Sequence, residues 1–136
     1  MSTDLERAKA RLIGNTTCAL CKDNRLYETQ KRGVAPLLEW IESGVDLQGF
    51  SAADKVVGKA AAILYVIMGV ERVYANVMSE PAFAVLQRFN VQTEYVQMVP
   101  AIRNRANTGF CPMETAVWEI DEPTVAYKTL KEKTSV

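Results

Sequence analysis

Residues 50–69 read FSAADKVVGKAAAILYVIMG, and the fold turns on this stretch. Ser51 and Asp54 have helix-capping spacing, and Gly69 offers a left-handed stop. Asp54, Lys55 and Lys59 then fall in the first two turns, followed by an apolar run from Ala60 to Met68. A helix apolar all round is buried. This segment is therefore expected to be the central helix, with only its N-terminal end near solvent. Small residues at Gly58, Ala60, Ala61 and Ala62 let neighbouring elements approach closely.

Working outward, the C-terminal side alternates strands with helices. ERVYANVM (71–78) reads as a buried valine-rich strand, and SEPAFAVLQRFN (79–90) as a helix started by Pro81 and stopped at Asn90. VQTEYVQMV (91–99) is the next strand. Crossover helices of this length favour parallel pairing of the inner strands. PAIRNRANTGFCP (100–112) lacks apolar periodicity and reads as a long loop, a common place for function. Pro112 and Pro123 each start a closing helix. On the N-terminal side, Thr3 and Glu6 have capping-box spacing, with Leu5, Ala8 and Leu12 on one helix face. TTCALC (16–21) and LYETQ (26–30) flank KDNR as a β-hairpin. RGVAPLLEWIESG (32–44) is a short helix from Pro36 to Gly44.

The chain has 136 residues, 49% of them hydrophobic and 24% charged. That composition fits one globular domain spanning residues 1–136. Sixteen basic residues balance sixteen acidic ones, so no bulk charge points to nucleic acid or an anionic membrane. The start, MSTDLERAKARL, is not signal-like, and the run from Ala60 to Met68 falls short of the ~20 residues of a membrane span. With three cysteines and no signal, reduced thiols and a cytoplasmic location are expected. There is no histidine, which excludes Ser-His and Cys-His dyads and the commonest metal ligand.

RGVAPLLEWIESG, ADKVVGKAAA and NTGFCPME, in this order, resemble the recurrent blocks of an uncharacterised family, domain-of-unknown-function family eighteen ninety-three. The resemblance covers roughly residues 3–133. It implies a cytidine-deaminase-like fold, a three-layer α/β/α sandwich with a mixed sheet, and no established activity. True deaminases carry H/C-x-E at the start of the central helix and P-C-x-x-C at the start of the next, for zinc and proton transfer. Here AADKVVG has neither His nor Cys. Pro81 is followed by Ala82 and Val85 where the two thiolates would stand, and neither side chain ligates zinc. No metal and no cofactor are expected.

Candidate site residues follow from these placements. Cys111 precedes Pro112 at a helix start, where free amides favour a thiolate nucleophile. The competing reading is a small buried hydrophobe. Cys18 and Cys21 have C-x-x-C spacing, but on a strand they point to opposite faces, and a structural role is expected. Asp54, Lys55 and Lys59 lie where a helix start would attract an anion. Asn104, Arg105, Thr108, Cys111 and Glu114 crowd one loop and helix start, either as a ligand bracket or as a capped surface loop. Trp40 and Trp118 read as core or dimer contacts.

In parallel α/β layouts, ligands gather outside the carboxyl ends of strands. Lys55 and Lys59 are therefore expected to face Arg105, Cys111 and Glu114 across one net-positive cleft. The function that follows is binding of a small anionic or nucleotide-like ligand. The alternative is a cysteine- or lysine-dependent small-molecule enzyme using Cys111, with Glu114 for proton transfer, or Lys55/Lys59. The partner expected is the small molecule, with no membrane and no nucleic acid, and a homo-oligomer stays open.

Overall fold

The computed structural model describes residues 3–103, 109 and 111–134. The elements are α1 (Asp4–Ala10), β1 (Cys18–Lys22), β2 (Arg25–Thr29), α2 (Ala35–Ser43), β3 (Ser51–Val57), α3 (Lys59–Met68), β4 (Arg72–Ser79), α4 (Glu80–Arg88), β5 (Gln92–Val99), α5 (Pro112–Val117) and α6 (Pro123–Thr134). The five strands form one mixed sheet in the order β2-β1-β3-β4-β5. β1 is antiparallel to both β2 and β3, with Cys18 opposite Asp54. β3, β4 and β5 run parallel, as the crossover lengths required.

The decisive stretch departs from its sequence reading. Ser51–Val57 is a strand, and the helix starts only at Lys59. Gly58, with φ −100° and ψ −176°, is the extended residue between them. The Ser51–Asp54 spacing mimicked a cap, but Ser51 is buried and paired in the sheet. β3 lies inside the sheet between β1 and β4, and its first three residues are buried whichever face they meet, so SAADKVV shows no clean alternation. Asp54 and Lys55 therefore sit on neighbouring strand positions, not on a helical turn.

Burial along α3 is also reversed from expectation. Lys59 to Tyr65 and Met68 are buried, and Val66 and Ile67 near the C-terminal end are half-buried. The N-terminal end is closed over by α5, and α2, α4 and α6 pack along the remainder. Gly69, at φ +77°, ends the helix in the left-handed region that favours glycine.

Neighbouring alanines on β3 divide the interior into two. Ala52 belongs to the main core with Leu64, Val73, Leu86 and Leu130. Ala53 belongs to a small cluster with Ala8 and Cys21, joined by Leu12 and Tyr74. Thus, among the described residues, α1 is the one helix on this face of the sheet, and the other helices build the core on the opposite face. Among the described residues no helix is long and apolar enough to cross a membrane.

Candidate functional site

A cleft of about 890 Å³ opens beside the carboxyl end of β3. Its walls come from the segment after β2 (Gln30 to Val34), the start of α2 (Pro36, Leu37), the start of α3 (Ala60, Ala61) and the α5 approach (Ile102, Arg103, Cys111 to Glu114). Antiparallel pairing of β1 with β3 brings Thr17 and Cys18 to the same end. The walls are largely apolar. Gln30, Lys31, Arg32 and Arg103 are exposed at its rim, whereas Asp54 and Glu114 are recessed; apolar walls with a small number of placed polar groups are common in small-molecule sites.

Asp54 projects from β3 toward α3. Its Oδ2 accepts a hydrogen bond from the Tyr65 hydroxyl at 2.7 Å, and its Oδ1 accepts one from the Val56 N–H at 3.3 Å. The Tyr65 oxygen lies 3.0 Å from Cys18 Sγ. Because Tyr65 gives its one hydrogen to the carboxylate, the thiol is the donor to the phenol oxygen. Burial pushes Asp54 up to about 6, against the lowering effect of the Tyr65 and backbone hydrogen bonds. Burial likewise pushes Tyr65 and Cys18 well above their ordinary values, and the Asp54 charge adds to both. A buried tyrosine hydroxyl requires a partner. Tyr65 inside an otherwise apolar helix was thus the sequence signal for this polar chain.

Glu114 enters from α5 and is 4% exposed. One carboxylate oxygen accepts from the Ala60 N–H at 3.3 Å, so it caps α3, whose own N-cap residue Gly58 has no side chain to do so. A Cβ at position 58 would lie 1.3 Å from Glu114 Oε1 and 2.9 Å from Ile102 Cγ1. Glycine is therefore required here by close approach. Burial pushes Glu114 up to about 7, opposed by the backbone hydrogen bonds and the Lys59 charge.

The remaining sequence candidates separate. Lys55 lines the cleft, with its ammonium donating to the Gly14 carbonyl at 3.0 Å. Lys59 does not line it. Its buried ammonium donates to the Trp118 carbonyl at 2.8 Å and contacts Asp121 Oδ1 at 3.4 Å, tying α3 to the α5–α6 junction. Cys111 lines the cleft and is half-buried, at the N-cap of the six-residue α5, where its side chain makes no capping bond. Asn104, Arg105 and Thr108 lie outside the described residues. Cys18 and Cys21 fall in different clusters on opposite faces of β1, as strand geometry dictates. Trp40 packs edge-on to Tyr27 against the core, whereas Trp118 is 43% exposed.

Two carboxyls, Asp54 and Glu114, thus reach one cleft from different elements, accompanied by Lys31, Arg32 and Arg103. Among the described residues no three His, Cys, Asp or Glu side chains are grouped to hold a metal ion. Neither the hairpin exit nor Tyr65 was singled out by sequence, because the first joins the site through pairing of β1 with β3 and the second through packing of α3 on the sheet.

A family model described as Domain of unknown function (DUF1893) matches residues 9–134. The crystal structure of a DUF1893 family protein from Thermotoga maritima matches with a TM-score of 0.87 and 24% identity. The alignment covers 98% of this chain and 92% of that one, and it establishes a shared fold. No curated protein matches the chain.

Proposed function

The chain belongs to the DUF1893 family, and on that premise we propose that it binds a small nucleotide-like or anionic molecule in the β3–α3 cleft. We read the strand order, the antiparallel hairpin and the two parallel crossovers as a cytidine-deaminase-like arrangement. In this reading the metal ligands are missing. The first turn of α3 is Lys59-Ala60-Ala61-Ala62 and that of α4 is Glu80-Pro81-Ala82-Phe83, neither offering His or Cys. The cleft is then used for recognition.

The observation that carries the reading is the convergence of Asp54 and Glu114 on one largely apolar cleft. Recessed carboxyls accept N–H groups of a polar ring, and Arg32 at the mouth complements an anionic tail. The expectation of a net-positive cleft containing one acid gains a second acid, Asp54: two carboxyls form the floor and Lys31, Arg32, Lys55 and Arg103 line the approach. A bound ligand stabilises the fold by roughly 2.7 kcal/mol at a hundredfold excess over Kd. Thermal denaturation against nucleotides, nucleosides and small organic phosphates and carboxylates should therefore give a rise in Tm that grows with the logarithm of ligand concentration and reaches roughly 10 °C at that excess for the matching class. The rise should shrink in Asp54→Asn. A flat profile across the whole panel removes the binding reading.

A specific feature favours an enzymatic second reading. Asp54 near 6 and Glu114 near 7 bracket the range in which general acids and bases work. Cys111 lines the same cleft as a nucleophile candidate, whereas Lys59 is engaged in structure. Iodoacetamide labelling separates the cysteine version: a single fast-reacting thiol at Cys111 supports it, and uniformly slow labelling excludes it.

A further inference from the structure

The two edges of the sheet are built differently. β2 is five residues long and carries Arg25 and Glu28, both engaged with neighbouring segments. β5 is eight residues long, Gln92 to Val99, and Glu94 is its sole charge, already matched by Lys9 at 2.7 Å. Natural edge strands are guarded by lysines, prolines or inward charges. β5 has no basic residue and no proline, and Val96 at its centre is 73% exposed. Among the described residues, the only backbone bond from β5 beyond its β4 ladder is that of Gln92 N–H to the Glu71 carbonyl, at its first residue.

We propose that β5 is a homodimerisation edge, pairing antiparallel with β5 of a second copy across a two-fold axis to make one continuous ten-stranded sheet. The charge pattern selects the occupant. A strand rich in either sign would find no counter-charge along β5, so the edge fits a neutral, β-branched and aromatic strand, and the chain itself carries one. In a two-fold pairing that keeps both faces in register, residues opposite each other share a face. Centred on Val96, this sets Val96 against its own copy, Tyr95 against Gln97, Glu94 against Met98 and Thr93 against Val99. No like charges meet. The cleft is lined from the β1–β3 side and contains no β5 residue, so both copies keep it open.

Sedimentation velocity on the full chain tests this. Wild type should sediment at twice its 15.1 kDa mass at tens of micromolar. Val96→Lys places two ammonium groups at the axis and should weaken association by ~100-fold or more. Leu26→Lys on the β2 edge should leave the dimer unchanged. A cross-link gives an independent reading: Val96→Cys, in a Cys111→Ser background, should form an intermolecular disulfide on mild oxidation while Leu26→Cys does not. A monomeric wild type, a dimer surviving Val96→Lys, or no selective cross-link at 96 each overturns the proposal.

Discussion

At the scale of single residues, Gly58 and Glu114 work as one unit. The carboxylate occupies the space a Cβ would fill and supplies the cap that Gly58 lacks. Gly58→Ala should therefore cost at least ~1–3 kcal/mol in urea denaturation, since overpacking forces the neighbour to move. In a Glu114→Ala background the same substitution should cost clearly less, with Ile102 as the residual clash; equal costs in both backgrounds would show that the two residues are uncoupled. The titration of Glu114 gives a second test. Its folded value, about 7, lies above the ordinary 4.5. Such a group contributes stability below pH 4.5, which is lost as pH rises through 7. Keeping it ionised costs on the order of 3 kcal/mol. Glu114→Gln keeps an acceptor for the Ala60 N–H without the charge. Its stability should match wild type near pH 4.5 and exceed it at pH 8, and parallel stability curves for the two proteins would refute this. Tyr65→Phe removes the donor to Asp54 and the acceptor for Cys18. A loss of about 1–3 kcal/mol is expected, as buried groups are left unpaired.

At the scale of elements, the sequence was legible where local chemistry and tertiary position agree. The hairpin, α2, α4 and α6 carry turn residues, capping side chains or prolines at their ends, and β4 and β5 carry β-branched runs. All appear within a few residues of their expected bounds. The junction of β3 and α3 was not legible, because Ser51, two alanines, Asp54 and Lys55 are good helix-start chemistry placed in a buried strand. The Val56-Val57-Gly58 break was the contrary signal. The site was half legible for the same reason. Asp54, Lys55, Cys111 and Glu114 share the cleft, but Lys59 is turned toward Trp118 and Asp121 once the helix, capped at Gly58 and not at Ser51, starts seven residues later than the cap spacing indicates. The register of α3 also decides where overpacking is felt. Ala61 lines the cleft, so a larger side chain there has room to enter it, whereas Ala62 is fully enclosed. Ala62→Leu should cost ~1–3 kcal/mol, and Ala61→Leu should instead weaken ligand-induced stabilisation. Undiminished stability in Ala62→Leu would mean that α3 is not packed on all sides.

At the scale of the whole molecule, the two faces of the sheet are unequal, and this asymmetry predicts how the protein opens. One face holds the continuous core around α3. The other holds α1 on a cluster of three buried residues, Ala8, Cys21 and Ala53, flanked by Leu12 and Tyr74. The additional ties of this helix are at the surface: the ion pairs Lys9–Glu94 to β5 and Arg11–Glu28 to β2, hydrogen bonds of Asp4 and Arg7 to the Asp23 backbone in the hairpin turn, and Lys9 over the Tyr74 ring. Exposed pairs contribute only ~0–1 kcal/mol each and weaken with salt. Opening of α1 therefore exposes little apolar surface, while the β3–α3–β4 core stays closed. Native-state hydrogen exchange should show α1 amides exchanging through a local opening well below the global unfolding free energy, and α3 amides only through global unfolding. Raising salt to ~1 M, where screening reaches about 3 Å, should speed exchange in α1 and leave α3 unchanged. If α1 exchanges as slowly as α3 at low and high salt alike, the small cluster is stronger than its buried area suggests and the two faces unfold as one unit.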